Sequence, residues 1–89
     1  MTGDGPPEHL SPLLKALWWD AKGSWDNARR AASDVDSPDA AWVHAYLHRK
    51  KKDNFNAEYW YARSGQIPYY DSVEQEFLKI LKTLLDKYK

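Results

Sequence analysis

The chain has 89 residues, with 13 basic against 13 acidic side chains and no cysteine. This length suits one small domain, and a formal charge of zero gives no overall attraction to nucleic acid or to an anionic membrane. Without cysteine there is no disulfide framework, thiolate metal site or cysteine nucleophile. No stretch approaches the ~20 apolar residues of a membrane span, and the first residues lack the regions of a signal peptide. We expect a cytoplasmic protein with no nucleic-acid and no membrane partner.

The first part of the chain predicts a tail followed by two helices. Residues 1–9 combine glycine, proline and acids without periodicity, which predicts a flexible tail before a single domain over residues 10–89. Ser11 and Pro12 predict a helix start as N-cap and first helical residue, and Gly23 predicts its end. A second helix restarts at Ser24 and runs to about residue 35, with an apolar stripe rich in alanine.

The next two helices carry most of the candidate binding residues. The third runs from about 38 to 51 behind the N-cap Ser37, and a basic run at 49–52 closes it. After a turn at 53–54, which offers the next N-cap, the fourth runs from about 55 to 64 and ends at Gly65. Its aromatic side chains spread around the cylinder, so we expect this helix to contact neighbours on two sides.

The last helix, residues 72–88, has the clearest pattern. Ser72 and Gln75 predict a capping box, and an apolar stripe follows at helical spacing. Leu78 and Leu85 widen the stripe and suggest a homodimer through this helix, although packing on the previous hairpin explains most of it. Five short helices, short links and no strand pattern predict an all-α fold of antiparallel neighbours.

A weak internal repeat relates the two helical hairpins. A shift of 29 residues places Leu13 on Trp42 and the pair 27–28 on the pair 56–57, both of which read Asn-Ala. The segment 23–28, Gly-Ser-Trp-Asp-Asn-Ala, resembles the turn between the helices of a tetratricopeptide repeat. The resemblance implies two stacked hairpins with the last helix as a cap. The repeat is shorter than the 34 residues of that family, Ala16 and Ala45 replace its glycine, and Lys52 stands where the second turn would want glycine.

A second resemblance covers roughly residues 10–68. The strings LWWDAKGSWDNA, AWVHAYLHRK and NAEYWYARSG resemble a family of small bacterial proteins with no assigned activity. This resemblance implies a helical domain and no catalytic residue.

Two features of the third helix suggest binding chemistry. His44 and His48 lie one helical turn apart, a spacing that can chelate a transition metal. A zinc protease motif would need Glu where the chain has Ala45, and no third ligand has a recognisable spacing. We therefore favour histidines that are partly exposed on a helix flank. Arg49 and the lysines after it could contact phosphates, but the neutral chain favours a helix end stabilised by cations.

The aromatic residues offer further candidates. Arg63 follows Tyr59 and Tyr61 and provides either a fork for a carboxylate or a structural stacking contact. Trp19 opposes the leucine side of its own helix, so it is either an interface anchor or a contact with another helix. No motif places a nucleophile or an acid–base pair, and residues 20, 26 and 58 are carboxylates expected on solvated faces.

These observations support two hypotheses. The favoured one is a non-enzymatic helical-repeat module that binds a protein or peptide through exposed aromatic and basic residues, chiefly Trp19, Tyr59 and Tyr61. The alternative is a small-ligand or metal-binding domain that uses His44 and His48, with Arg49 or Arg63. We predict neither a cofactor nor a resident metal, and an enzyme ranks third.

Overall fold

The computed structural model describes residues 5–68 and 71–87. In these ranges the chain forms five helices and no strand: α1 Pro12–Ala21, α2 Trp25–Ser33, α3 Pro38–Lys50, α4 Asn54–Ser64 and α5 Val73–Lys87. The predicted all-α fold of five short antiparallel helices is confirmed. None of the five helices in these ranges combines the length and the hydropathy of a membrane-spanning segment. Residues 1–4 of the predicted tail, 69–70 of the last link and 88 of the predicted last helix lie outside the described residues.

Four helices begin at the predicted capping residue. The side-chain oxygen of each cap accepts the backbone N–H three residues further on, which satisfies one free donor of the first turn. These bonds run from Leu14 to Ser11 (3.4 Å), from Ala40 to Ser37 (3.1 Å), from Asn56 to Asp53 (3.4 Å) and from Gln75 to Ser72 (3.1 Å). Ser24 differs, because its hydroxyl accepts the side-chain amide of Asn27 at 2.9 Å instead.

Among the residues that the structure describes, three take the left-handed conformation that follows a helix. Gly23 and Gly65 have φ of +84° and +78°, as their predicted roles at helix ends require. Lys52 has φ of +60° and stands 29 residues after Gly23, at the equivalent turn of the second hairpin. The turns of the two hairpins therefore share a backbone conformation, although only the first turn has the residue that adopts it without strain.

Helices α1 and α3 form the centre of the molecule. Each contacts its hairpin partner, α2 or α4, and both contact α5. Alanines at 16, 28, 32, 45 and 57 are fully buried, so the hairpins approach closely. The largest fully buried side chains are those of Leu13, Val43, Tyr46, Leu47, Tyr61, Ile80 and Leu84.

A buried carboxylate joins α1 to α3. Asp20 is 7% exposed and accepts hydrogen bonds from the Tyr46 hydroxyl and from the Lys50 ammonium, both at 2.6 Å. The expectation that Asp20 lies on a solvated face is wrong, because α3 places a donor and a cation over this end of α1.

A second buried carboxylate joins α5 to α3 and α4. Glu76 is 6% exposed and accepts hydrogen bonds from the Trp42 indole at 3.1 Å, from Arg49 at 2.9 Å and from the Tyr61 hydroxyl at 2.7 and 2.8 Å. Burial, followed by the hydrogen bond to Glu76, raises the pKa of Tyr61, so the phenol stays a neutral donor. The central helices are therefore joined by charged hydrogen bonds as well as by apolar contacts.

Candidate functional site

In the described part of the chain, a groove of about 610 Å³ lies between α2 and α4. Helix α3 contacts both of these helices and forms the floor. We call this cavity the α2–α4 groove. Its floor comprises Ala40, Ala41, His44 and His48, its walls comprise Arg29 and Ser33 on one side and Trp60 and Arg63 on the other, and residues 35–38 complete the lining.

The sequence of α3 explains the floor. Residues 40, 44 and 48 follow one another at intervals of four, so they lie along one face of the helix. The small side chains of Ala40 and Ala41 leave room near the start of α3, and the two imidazoles follow towards its end. The groove therefore changes from small apolar residues to histidines along its length.

His44 is buried in the floor. It is 6% exposed and stacks on the Trp60 indole, with ring centroids 4.3 Å apart and planes 22° apart. Burial lowers its pKa from the ordinary value, and the positive charges of His48 and Arg29 act in the same sense. The interpretation of His44 as partly exposed is wrong, because α4 covers it with an aromatic ring.

His48 is half-buried at the other end of the floor. Its ring meets the Trp25 indole edge-on at 5.4 Å, and its Nδ1 lies 3.5 Å from an Asp53 carboxylate oxygen. Burial lowers the pKa of His48, and the Asp53 charge offsets only part of that effect. At neutral pH both imidazoles are consequently uncharged.

The two arginines of the walls carry the positive charge of the groove at neutral pH. Within the described ranges, neither Arg29 nor Arg63 has an acidic side chain within ion-pair distance. The Arg63 guanidinium lies 5.6 Å from the centroids of both the Tyr59 and the Trp60 ring. Asp36 is the one acidic residue among the described lining residues. The side chains that line the groove thus have an excess of positive charge.

The histidine pair has no complete metal shell in the described part of the chain. No group of three His, Cys, Asp or Glu side chains there is arranged to hold a metal ion. Asp53 is close to His48, but the other imidazole is stacked on Trp60. Two imidazoles alone leave a tetrahedral zinc ion half coordinated.

Three of the seven candidate binding residues come together in the groove, and a fourth borders it. His44, His48 and Arg63 line the groove, and Tyr59, which is 53% exposed, meets Trp60 edge-on at 5.2 Å. Of the expected surface of aromatic and basic residues, the structure therefore brings together only members from α3 and α4.

The other three candidates lie elsewhere. Tyr61 is 1% exposed and Arg49 is half-buried, and both bond to Glu76. The expectation that Tyr61 is an exposed ring is wrong, because α5 places an acceptor over it. Trp19 is half-buried against the core, which agrees with the alternative of a contact with another helix.

Sequence reasoning missed three residues of the walls, Arg29, Ser33 and Trp60. The pattern of α2 assigns Arg29 to a solvated face, and nothing in the sequence distinguishes an arginine beside a groove from one in open solvent. Trp60 did leave a signal, because it precedes Arg63 by three residues and therefore shares a helix face with it.

Comparison with known proteins gives no indication of function, so the function must be inferred from the residues of the groove. No protein-family model matches the chain, and no curated protein or solved structure is detectably similar to it. The resemblances to tetratricopeptide repeats and to a small bacterial family stay predictions.

Proposed function

We propose that this protein is a non-enzymatic helical-repeat module that binds a segment of a partner protein in the α2–α4 groove. The observation that carries the proposal is the groove itself, which brings Arg29, Trp60 and Arg63 around two imidazoles. Its volume of about 610 Å³ lies within the range of roughly 300–1,000 Å³ typical of ligand sites.

The residue types at the rim favour a protein partner over a small molecule. Tyr59, Trp60 and Arg63 contact one another on α4, and Tyr, Trp and Arg are the residues that most often dominate protein interfaces. The exposed Tyr59 ring continues the surface beyond the groove. A bound segment could therefore contact the groove and this aromatic rim together.

Peptide selection with structural mapping tests the proposal. A random peptide library is selected against the protein at neutral pH, and the best peptide is titrated into isotopically labelled protein. We expect the amide signals of residues 29, 33, 44, 60 and 63 to move, and those of residues 78–87 on α5 to stay. The proposal fails if no selected peptide binds more tightly than ~100 μM, which corresponds to about −5.5 kcal/mol, or if the shifts cluster away from the groove.

The alternative function is binding of a small ligand or metal through His44 and His48. One observation favours it, because both imidazoles line one cavity and neither is charged at neutral pH. It predicts that excess zinc or nickel raises the melting temperature by several degrees and that His48→Ala removes the gain. Our proposal predicts the same melting temperature with metal and with chelator.

Self-association through α5 is a further proposal for the partner. Leu78 and Leu85 are 53% and 46% exposed and lie seven residues apart, on one side of the helix. Sedimentation equilibrium tests it. A dimer that Leu78→Lys converts to a monomer supports self-association. A protein that is still monomeric at a concentration of roughly 100–200 μM, far above the dissociation constants of ordinary dimers, excludes it.

A further inference from the structure

We infer that the segment recognised by the α2–α4 groove is acidic, and that acidification of the medium tightens its binding. The inference rests on the proposed function, because it names the chemical class of the ligand for the same groove. The inference depends on two observations: the charged side chains that face the groove, and the ion pairs that some nearby charged side chains already form.

The charges at the groove are locally positive in a chain of zero formal charge. Arg29 and Arg63 stand against one lining acid, Asp36. Asp39, in the first turn of α3, is paired at 2.7 Å with Lys87 of α5. A cavity with an excess of one sign of charge and walls of low dielectric concentrates the field, so an acidic segment is attracted to this part of the surface.

The start of α3 adds to this charge. Pro38, Ala40 and Ala41 of its first turn line the groove, and the N-terminal end of a helix carries a partial positive charge. The small side chains there leave room for a ligand beside the backbone. The guanidinium groups of Arg29 and Arg63 supply the fork geometry that suits a carboxylate. Helix end and arginines therefore act in the same direction.

The two imidazoles make the positive charge depend on pH. When His44 and His48 bind protons, the groove gains charge on its floor and loses none on its walls. The charged groups that face them are Arg29 from α2, Asp53 at the start of α4 and Arg63 from α4.

Further charges at the two ends of the floor complete the electrostatic surroundings. Asp36 lines the groove from the link between α2 and α3. Lys51 lies over the Trp25 ring, which in turn contacts His48. Arginine and lysine oppose protonation of the imidazoles in the free protein, and a bound carboxylate offsets that repulsion. Protonation and binding of an acidic segment therefore favour each other.

Two peptides of equal length provide the direct test. The probes are acetyl-hexa-aspartate amide and acetyl-hexa-asparagine amide, titrated at 0.15 M salt at pH 7.5 and pH 5.5. Aspartate, with an ordinary pKa of about 3.9, is ionised at both pH values, so a change in affinity reports on the protein. We expect the aspartate peptide alone to move the groove signals and its affinity to rise roughly 3–10-fold at pH 5.5.

Matched variants assign the effect to the groove. Arg29→Gln and Arg63→Gln should each weaken binding of the aspartate peptide by at least ~5-fold, whereas Arg30→Gln, one residue away and outside the lining, should change it by less than ~2-fold. In the unmodified protein, bound peptide should raise the pKa of His44 or His48, followed by NMR of the imidazole protons. This readout does not depend on any variant that could fail to fold.

The outcomes separate the inference from the proposed function. The inference of an acidic ligand with pH-dependent binding is wrong if both peptides bind the groove equally, or if the affinity for the aspartate peptide is the same at both pH values. In either case the groove is still a binding site. The inference is also wrong, with groove binding intact, if library peptides bind the groove but the aspartate peptide does not. If no peptide of either kind binds there, both the inference and the proposed function are wrong.

Discussion

Removal of the Glu76 carboxylate should destabilise the protein more than any single change at the groove. Glu76→Ala deletes the acceptor of three donors, the Trp42 indole, the Arg49 guanidinium and the Tyr61 hydroxyl. The Arg49 side chain is only 15% exposed, so its charge loses its carboxylate partner in a largely dry environment. The same variant removes the Glu76 hydrogen bonds that join α5 to α3 and α4, and leaves the Lys87–Asp39 ion pair as a polar contact between α5 and α3.

The magnitude follows from the burial of these groups. Breaking a buried ion pair by removal of one partner costs about 3–5 kcal/mol. A domain of 89 residues has a free energy of unfolding of about 4–13 kcal/mol, at roughly 0.05–0.15 kcal/mol per residue. At about 4–8 °C per kcal/mol, the melting temperature should fall by at least ~12 °C.

Urea unfolding followed by tryptophan fluorescence measures this change. Glu74→Ala, on the exposed side of the same helix, is the matched control and should cost less than about 1 kcal/mol. The double variant Glu76→Leu with Arg49→Met should be more stable than Glu76→Ala, because it removes both charges and fills the space with apolar groups. A cost below about 1 kcal/mol for Glu76→Ala would refute the reasoning, since the carboxylate would then be solvated or unpaired.

Three further predictions test other parts of the fold. Trp25→Phe should lower the free energy of unfolding in urea by about 1–2 kcal/mol, because the indole N–H donates at 2.6 Å to the carbonyl of Leu47 in the last turn of α3. An unchanged urea midpoint would contradict that hydrogen bond. Lys52→Gly should raise the free energy of unfolding by about 0.5–1 kcal/mol, because φ of +60° strains lysine but not glycine. A loss of stability in the same assay would contradict the strain at Lys52. Burial lowers the pKa of His44 and His48, so the unfolded chain binds protons at a higher pH than the folded protein does. The free energy of unfolding should therefore be constant above pH ~6.5 and decrease as the pH falls through that value. Urea titrations at pH 7.5, 6.5 and 5.5 measure the decrease, and a rise in stability over this range would contradict the burial of the two rings.

The helices could be predicted because their signals are local. The caps Ser11, Ser37 and Ser72 and the ends Gly23 and Gly65 lie next to the turns that they specify, and the structure places each of them at its predicted position. The periodic apolar stripes then determined which faces pack together. Cytoplasmic location, self-association and the single domain over residues 10–89 stay predictions.

The polar interior could not be predicted because its partners are distant in sequence. Glu76 and Arg49 are 27 residues apart, and Asp20 and Lys50 are 30 residues apart. In the sequence, each of these residues resembles an ordinary charged residue on a helix surface. The burial of Tyr61 is hidden for the same reason, since only the packing of α5 shows which aromatic ring of α4 turns inward.

The groove could be predicted in part. The spacing of His44 and His48 indicates a shared face, and Arg63 is identifiable as a candidate binding residue. Arg29 could not be included, because α2 and α4 are not consecutive in the sequence and do not contact each other. Only the packing of both helices on α3 brings Arg29 and Arg63 to one cavity.

The most direct test of the α2–α4 groove as the binding site compares two neighbouring arginines. The affinity of the best library-selected peptide is measured by calorimetry for the unmodified protein, Arg29→Gln and Arg30→Gln. Both residues are exposed on α2, and only Arg29 lines the groove. We predict a loss of at least ~5-fold for Arg29→Gln and less than ~2-fold for Arg30→Gln. Equal affinities of the two variants would contradict the assignment of the groove as the binding site.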